Sequence, residues 1–115
     1  MFQEVKAMLP ISGDDYDQEI IMQIYACALD LTTSAEITLP GTIAISRNAT
    51  TGVVTDTSTL TDALIITAIG IWCNMRIGNP PNYDNLLKAY ESLKGQMRIS
   101  KSYTAYEPAE GDDGE

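Results

Sequence analysis

Three aspartates near the start of the chain have the residue types and close spacing that a metal site could use. Asp14, Asp15 and Asp17 could gather a hard cation, because Ca²⁺ and Mg²⁺ prefer carboxylate oxygens. The twelve-residue calcium loop with its closing glutamate is missing, however. The same acids suit the start of a helix, where they would meet free N–H groups and the positive end of the helix dipole. We therefore interpret them as a helix start and expect no metal ion.

The remaining residue types offer little for nucleophilic or acid–base chemistry. The sequence contains no histidine, which excludes Ser-His-Asp and Cys-His activation as well as histidine metal ligands. Cys27 and Cys73 each lie inside an apolar helical pattern, which predicts buried thiols. Gly70 and Gly78 are too sparse to form a phosphate-binding loop. We expect a protein that is not an enzyme and has no cofactor.

The formal charge of the 115-residue chain is -9, and it is unevenly distributed. Five of the 16 acidic residues lie in the last nine positions, so we expect an acidic tail at 103–115 after a single domain at 1–102. This balance argues against general attraction to nucleic acid or to an anionic membrane. The most apolar stretch, 63–73, is too short to span a bilayer, and no leader opens the chain, so we expect a cytoplasm-like compartment.

Hydrophobic periodicity predicts a mainly α fold, a small helical bundle of three main helices plus a short N-terminal helix. We expect these helices at 2–9, 15–33, 59–77 and 83–99. Between the second and the third, threonine, glycine and β-branched residues at about 37–57 predict an inserted β-hairpin or extended loop. Its two strands would flank a five-residue turn.

The two most apolar helices raise the question of what covers them. Helix 59–77 is apolar nearly all round, and helix 15–33 is apolar except for a polar stripe of Glu19, Gln23 and Asp30. A helix of this kind must be covered on nearly every side. Either the hairpin and the first segment provide that cover, or neighbouring copies do, as in an obligate assembly.

Short segments along nearly the whole chain, in a consistent order, are similar to those of one known family. They are Val5-Lys6-Ala7-Met8-Leu9, Asp14-Asp15-Tyr16-Asp17, Asp62-Ala63-Leu64-Ile65, Ile71-Trp72-Cys73-Asn74, Arg76-Ile77-Gly78-Asn79-Pro80, Tyr83-Asp84, Ala89-Tyr90-Glu91-Ser92-Leu93-Lys94-Gly95-Gln96-Met97 and Ser102-Tyr103-Thr104. In this pattern the chain resembles the small DNA-packaging and head–tail connector (adaptor) proteins of tailed bacteriophages. The Thr/Gly-rich segment at 37–57 and the acidic end after Tyr106 depart from the short pattern of that family.

The resemblance implies a structural role in the neck of the virion. Family members would form a homo-oligomeric cyclic ring, of the dodecamer type, beneath the portal protein of the DNA-filled capsid. The ring would also bind a downstream tail or stopper protein and let DNA pass through its centre without sequence-specific binding. The subunit would be made in the bacterial host cytoplasm, without membrane contact, enzyme activity or cofactor.

Three groups of residues receive roles from this resemblance. Helix 59–77 would be the central element, with core or inter-subunit anchors at Leu64, Ile65, Ile69 and Trp72. The last helix and the segment after it would contact the portal or a neighbouring copy through Lys88, Lys94, Arg98, Lys101, Tyr103 and Tyr106, although basic groups there also fit an ordinary solvated helix face. The hairpin would point toward the lumen or a neighbour with Arg47, Asn48, Thr50 and Thr51.

Two other functions stay open on the sequence alone. An acidic inhibitor that mimics DNA would need carboxylates spread over a rigid surface, whereas here many gather in the tail. A capsid-decorating or tail-completion protein would share the logic of assembly but bind elsewhere on the virion.

Overall fold

A computed structural model describes residues 1–11, 13–77 and 81–99. Its elements, in chain order, are α1 (Phe2–Ala7), α2 (Asp17–Thr33), β1 (Ile45–Arg47), β2 (Val54–Asp56), α3 (Ala63–Ile77) and α4 (Tyr83–Ile99). The prediction of a mainly helical bundle with a hairpin inserted between the second and third main helices is confirmed.

Helix α3 lies at the centre of the bundle, where α1, α2 and α4 all pack against it. Its residues Ile65, Ile69 and Cys73 have no exposed surface. The apolar cover that the sequence demands for this helix therefore comes mainly from the other helices of the same chain. Each fully buried aliphatic side chain contributes roughly 1.5–3 kcal/mol of transfer free energy.

Helix α1 is short, but it is fastened to the bundle at several points. Phe2 and Val5 are buried, and Met8 lies against Gly70 of α3, where a β-carbon would collide with the methionine sulfur. The ammonium group of Lys6 lies 2.7 Å from Oδ1 of the buried Asp17, which joins α1 to the start of α2.

Helix α2 begins two residues later than we predicted, at Asp17 instead of Asp15. Asp14 does not cap the helix, since its side chain forms an ion pair with Lys6 at 2.9 Å. The N-cap position belongs to Tyr16, whose side chain makes no capping hydrogen bond. Two of the acids at the start of α2, Asp14 and Asp17, thus hold α1 through Lys6.

Helix α3 also begins later than predicted, at Ala63 instead of residue 59. The backbone N–H groups of Thr59 and Leu60 both donate to the carbonyl of Thr42, at 3.0 and 3.1 Å. Residues just before α3 are thus held beside the chain that enters β1. Asp62 then caps the helix, because its Oδ1 accepts the N–H of Ile65 at 3.1 Å.

The hairpin is antiparallel, with Ile45 opposite Asp56 and Arg47 opposite Val54. Asn48 Oδ1 accepts the backbone N–H groups of Thr50 and Thr51 at 2.8 and 2.9 Å, which shapes the predicted turn. β1 is shorter than the predicted strand at 42–47, whereas β2 keeps the length of the predicted strand at 53–55 and lies one residue later. The predicted helix end at Gly78 lies outside the described residues.

Candidate subunit-interaction surfaces

A buried polar cluster joins α2 to α4. The hydroxyl of Tyr90 donates to Oδ2 of Asp30 at 2.7 Å, and the same oxygen lies 3.1 Å from Nζ of Lys94. Lys94 also reaches the hydroxyl of Ser34 at 3.2 Å, and the thiol of Cys27 lies 3.6 Å from the Tyr90 hydroxyl. Burial is the main cause that raises the pKa of Tyr90 above its ordinary value, and the neighbouring Cys27 and Asp30 add to it. Tyr90 therefore acts as a neutral donor.

A second set of contacts between helices surrounds Trp72. Its indole N–H donates to Oε1 of Gln23 at 3.0 Å, and its ring centroid lies 5.4 Å from that of Tyr90. The guanidinium of Arg76 stacks 4.2 Å above the indole. Trp72 thus ties α3 to α2 and to α4, and it is half-buried.

These bonds determine which side of α2 faces solvent. Gln23 and Asp30, two members of the expected polar stripe, are turned toward α3 and α4. The solvent side instead exposes Met22, Tyr25 and Leu29, whose exposed fractions are 60%, 42% and 64%. These three side chains share one face because they are three and four residues apart. We call Met22, Tyr25, Ala26 and Leu29 the α2 face.

Sequence reasoning missed this surface. The periodicity of α2 showed apolar residues on both sides of the helix, but it did not show which side the rest of the chain covers. The available signal was the pair Gln23 and Asp30, seven residues apart on one side, since both could find polar partners on other helices.

Tyr25 connects the α2 face to the hairpin. Its hydroxyl oxygen accepts the backbone N–H of Ile45 at 3.0 Å, on the side of β1 away from β2. Beside it opens a shallow pocket of about 280 Å³, lined by Tyr25, Ala44, Ile45, Ser46, Thr55 and Thr57. The hydrogen bond restrains the tyrosine ring, so the face and the pocket form one continuous, fixed surface.

The four predicted anchors of α3 occupy two kinds of position. Ile65 and Ile69 are fully buried in the core of the single chain. Leu64 and Trp72 are half-buried at its margin. Of the four, the latter two have surface left for a contact with another molecule, and such a role for them stays a prediction.

The predicted basic contacts on α4 are also divided. Lys88 and Arg98 are exposed on the solvent side of the helix, whereas Lys94 is mostly buried and occupied by Asp30. Lys101, Tyr103 and Tyr106 lie outside the described residues. A role of these six residues in binding the portal or a neighbour stays a prediction.

The hairpin presents its predicted loop residues together. Arg47, Asn48, Thr50 and Thr51 are all exposed at the turn end of the hairpin. Residues 37–55 contain no acidic side chain, which makes this segment distinct in a chain of charge -9. The hairpin end is therefore a weakly basic, hydroxyl-rich surface.

The two cysteines are free and buried, and neither is suited to act as a nucleophile. Burial raises the pKa of the free thiols of Cys27 and Cys73 to about 12, which suppresses their nucleophilic thiolate forms. Among residues 1–11, 13–77 and 81–99, no group of three or more acidic or cysteine side chains could hold a metal ion. Within the same ranges, every helix falls short of the length and apolarity needed to cross a membrane.

Comparison with known proteins identifies the family of this chain. No curated protein and no solved structure shows a significant match to this chain. A family model described as phage connector protein matches residues 1–104, which include all the helices and strands that the structure describes. The match spans far more than half of the sequence, and the chain therefore belongs to the phage connector protein family.

Proposed function

We propose that this connector protein is a subunit of a ring in the phage neck, which joins the portal of the DNA-filled capsid to tail components. DNA would pass through the centre of the ring. The family match over residues 1–104 is the observation that carries the proposal. Phage connector proteins are structural components of the virion rather than enzymes, and the further steps proposed here are ring closure, portal binding and DNA passage.

The packing of the single chain supports assembly from folded subunits. The central helix α3 is buried by the chain itself, and the α2–α4 cluster of Asp30, Tyr90 and Lys94 is satisfied internally. Each subunit can thus fold before it meets a neighbour. The contacts between subunits would then use surface that folding leaves exposed.

The hairpin is the best candidate for the surface that faces DNA or an adjacent subunit. A ring through which DNA moves should hold the phosphates weakly, since affinity rises with every Lys or Arg that contacts a phosphate. Within 37–55, Arg47 is the sole charged residue, and it stands among threonine and asparagine side chains. One cation per subunit could position DNA without fixing it.

The arrangement of acids disfavours the rival function of a DNA-mimicking inhibitor. Such a protein needs free carboxylates in an ordered array. Asp17 and Asp30 instead form ion pairs with Lys6 and Lys94, and Asp56 pairs with the α-amino group of Met1 at 2.9 Å. These carboxylates are committed to holding the fold together.

The proposal is tested by reconstitution with the portal protein of the same phage. Purified portal rings mixed with the connector should give a co-migrating complex in size-exclusion chromatography, and electron micrographs should show an added ring below the portal. If the connector were located instead on the capsid shell or the tail tip by labelling of intact particles, a decoration or completion role would replace the proposed one. Inhibition of a nuclease without portal binding would favour the DNA mimic.

The hairpin assignment has its own test. Ala49–Gly52 can be replaced by Asn-Gly, which closes a two-residue turn and keeps the pairing of Arg47 with Val54. We expect rings that still form but retain packaged DNA less well. Arg47→Gln in the full-length hairpin removes the charge without shortening the loop, so it separates the effect of the charge on DNA retention from the effect of loop length. Normal rings and normal DNA retention in both variants would contradict a role of the hairpin.

A further inference from the structure

The α2 face is apolar, uncharged and uncovered. From Met22 to Thr33 the solvent side of the helix carries Met22, Tyr25, Ala26 and Leu29, followed by Thr32 and Thr33, and no charged residue. At 1.5 Å per residue this stretch is roughly 18 Å long. In the part of the chain that the structure describes, nothing packs over Met22 or Leu29. Contiguous exposed apolar surface of this kind marks an interaction site.

The composition of α2 indicates what kind of partner can cover it. The helix contains no lysine or arginine, whereas helices that lie on anionic membranes carry such residues beside their apolar face. Nucleic acid is excluded for the same reason, since it requires cations at the contact. A protein surface remains, and on a chain of charge -9 the uncharged α2 face is where two copies can approach with least repulsion.

A second exposed apolar patch lies on a different helix. Tyr83 and Leu87, one turn apart at the start of α4, are 41% and 37% exposed. Helices α2 and α4 both pack against α3, so the two patches belong to different flanks of the same core. Contact between two different patches of identical subunits is head-to-tail, and repetition of such a contact gives a ring when the rotation between neighbours closes on itself.

The rims of the two patches carry one pair of opposite charges, next to a second acid, Asp84, which is exposed beside Tyr83. Glu19 is exposed one turn before Met22, and Lys88 is exposed directly after Leu87. Within the described ranges neither side chain has an ion-pair partner in its own chain. If the two patches meet, Glu19 of one copy and Lys88 of the next can pair at the rim.

We propose that, in the ring, the α2 face of one copy packs against Tyr83 and Leu87 of the next copy, with Glu19 and Lys88 paired at the edge. This inference rests on the proposed function, because the ring is its setting. A single helix face buries less than the roughly 800 Å² per partner of a standard interface. We therefore expect a monomer in dilute solution and assembly on the portal, where neighbouring copies are brought together.

The first experiment places two charges on the α2 face. Met22→Lys combined with Leu29→Lys should raise the connector concentration needed for half-occupancy of portal rings by about a hundredfold, since both ammonium groups would be buried unpaired. The control is Ala89→Lys combined with Gln96→Lys, which adds the same charge at the same seven-residue spacing on the exposed outer side of α4. The control should assemble as the unmodified chain does. Equal melting temperatures would show that both variants fold.

A charge exchange tests the orientation of the contact. Glu19→Lys and Lys88→Glu should each weaken assembly by about threefold to tenfold, and the two changes combined should restore it, because the pair is then reversed. Lack of any restoration in the double variant would overturn the pairing of these two edges.

A photo-crosslink identifies the neighbour without disturbing the charges. Benzoylphenylalanine at position 29, in a mixture of ¹⁵N-labelled and unlabelled chains on portal rings, should link to the tryptic peptide 77–88 of another copy. A link to α2 of another copy would indicate a two-fold contact and overturn the inference. If the unmodified chain forms rings and the Met22 and Leu29 variant forms them equally well, the inference fails while the proposed function stands. If the unmodified chain never joins the portal, both fail.

Discussion

The hydroxyl of Tyr90 lies 2.7 Å from Oδ2 of Asp30, sixty residues earlier in the chain. The bond joins the middle of α4 to the end of α2, and Lys94 completes it by approaching the same oxygen at 3.1 Å. This cluster turns the polar side of α2 inward. As a consequence, Met22 and Leu29 on the opposite side of the helix face solvent.

Removal of the Tyr90 hydroxyl should weaken the fold. Tyr90→Phe keeps the ring but leaves the partly buried carboxylate of Asp30 without one donor, so we expect a loss of about 1–3 kcal/mol of unfolding free energy. Urea denaturation followed by circular dichroism measures it. Tyr83→Phe on the exposed start of the same helix is the matched control and should be near neutral. Equal midpoints for the two variants would contradict the role assigned to the cluster.

The ion pair at Asp56 predicts a dependence of stability on pH. Partial burial alone would raise the pKa of this carboxyl, but hydrogen bonds from the N–H of Phe2 and from Ser58, with the Met1 ammonium, hold it well below its ordinary range. A depressed folded-state pKa contributes stability above the unfolded-state value of about 3.9, and that contribution is lost as pH falls below it.

Asp56→Asn should therefore be less stable than the unmodified chain at pH 7, by about 1–2 kcal/mol from the lost charged hydrogen bonds. The difference should shrink as the pH is lowered below about 4, because the carboxyl of the unfolded chain then takes up protons while the folded carboxyl stays ionised. Melting temperatures from pH 2.5 to pH 7 test this, with Asp15→Asn on an exposed residue as the control. A difference that stays constant down to pH 2.5 would contradict it.

The two thiols should be protected in the folded state. Cys27 and Cys73 are fully buried, and burial raises the pKa of each to about 12. At pH 8 we expect their reaction with Ellman's reagent to be at least about a hundredfold slower than that of a cysteine introduced by Ser92→Cys on the exposed side of α4. In urea all thiols should react at similar rates. Rapid reaction of Cys27 in the native chain would show that the α2–α4 contact opens.

The helices and the hairpin could be predicted because their signals are local. Repeats of three and four residues mark α2, α3 and α4, and the Asn48–Gly52 turn separates two β-branched runs. The orientation of α2 could not be predicted in this way. It depends on two hydrogen bonds between residues that are distant in sequence. Gln23 bonds to Trp72, which lies 49 positions later, and Asp30 bonds to Lys94, which lies 64 positions later.

The start of α3 shows the same limit of local signals. Thr59 is an acceptable first residue for a helix, and the apolar pattern extends back to Leu60. Thr42 overrides this preference, because its carbonyl accepts the backbone N–H groups of Thr59 and Leu60. Thr42 precedes these two residues by 17 and 18 positions. Tertiary hydrogen bonds thus delay the helix until Asp62 can cap it.

The contact between the segment before α3 and the chain that enters β1 leads to a prediction. A change from glycine to alanine should have opposite effects on stability at two sites. A β-carbon at Gly41 would lie 2.8 Å from both the Cα and the N of Leu60, which are backbone atoms that cannot turn aside. We expect Gly41→Ala to lower the unfolding free energy by about 1–3 kcal/mol, because the chain segments around Thr42 and Leu60 must move apart. Gly95 lies inside α4 with open space around it, so Gly95→Ala should raise the unfolding free energy by up to about 1 kcal/mol through better helix propensity. Urea midpoints of the two variants should fall on opposite sides of the unmodified chain. If Gly41→Ala were as stable as Gly95→Ala, the close approach of Gly41 to Leu60 would be wrong, and with it the reason that α3 begins at Ala63.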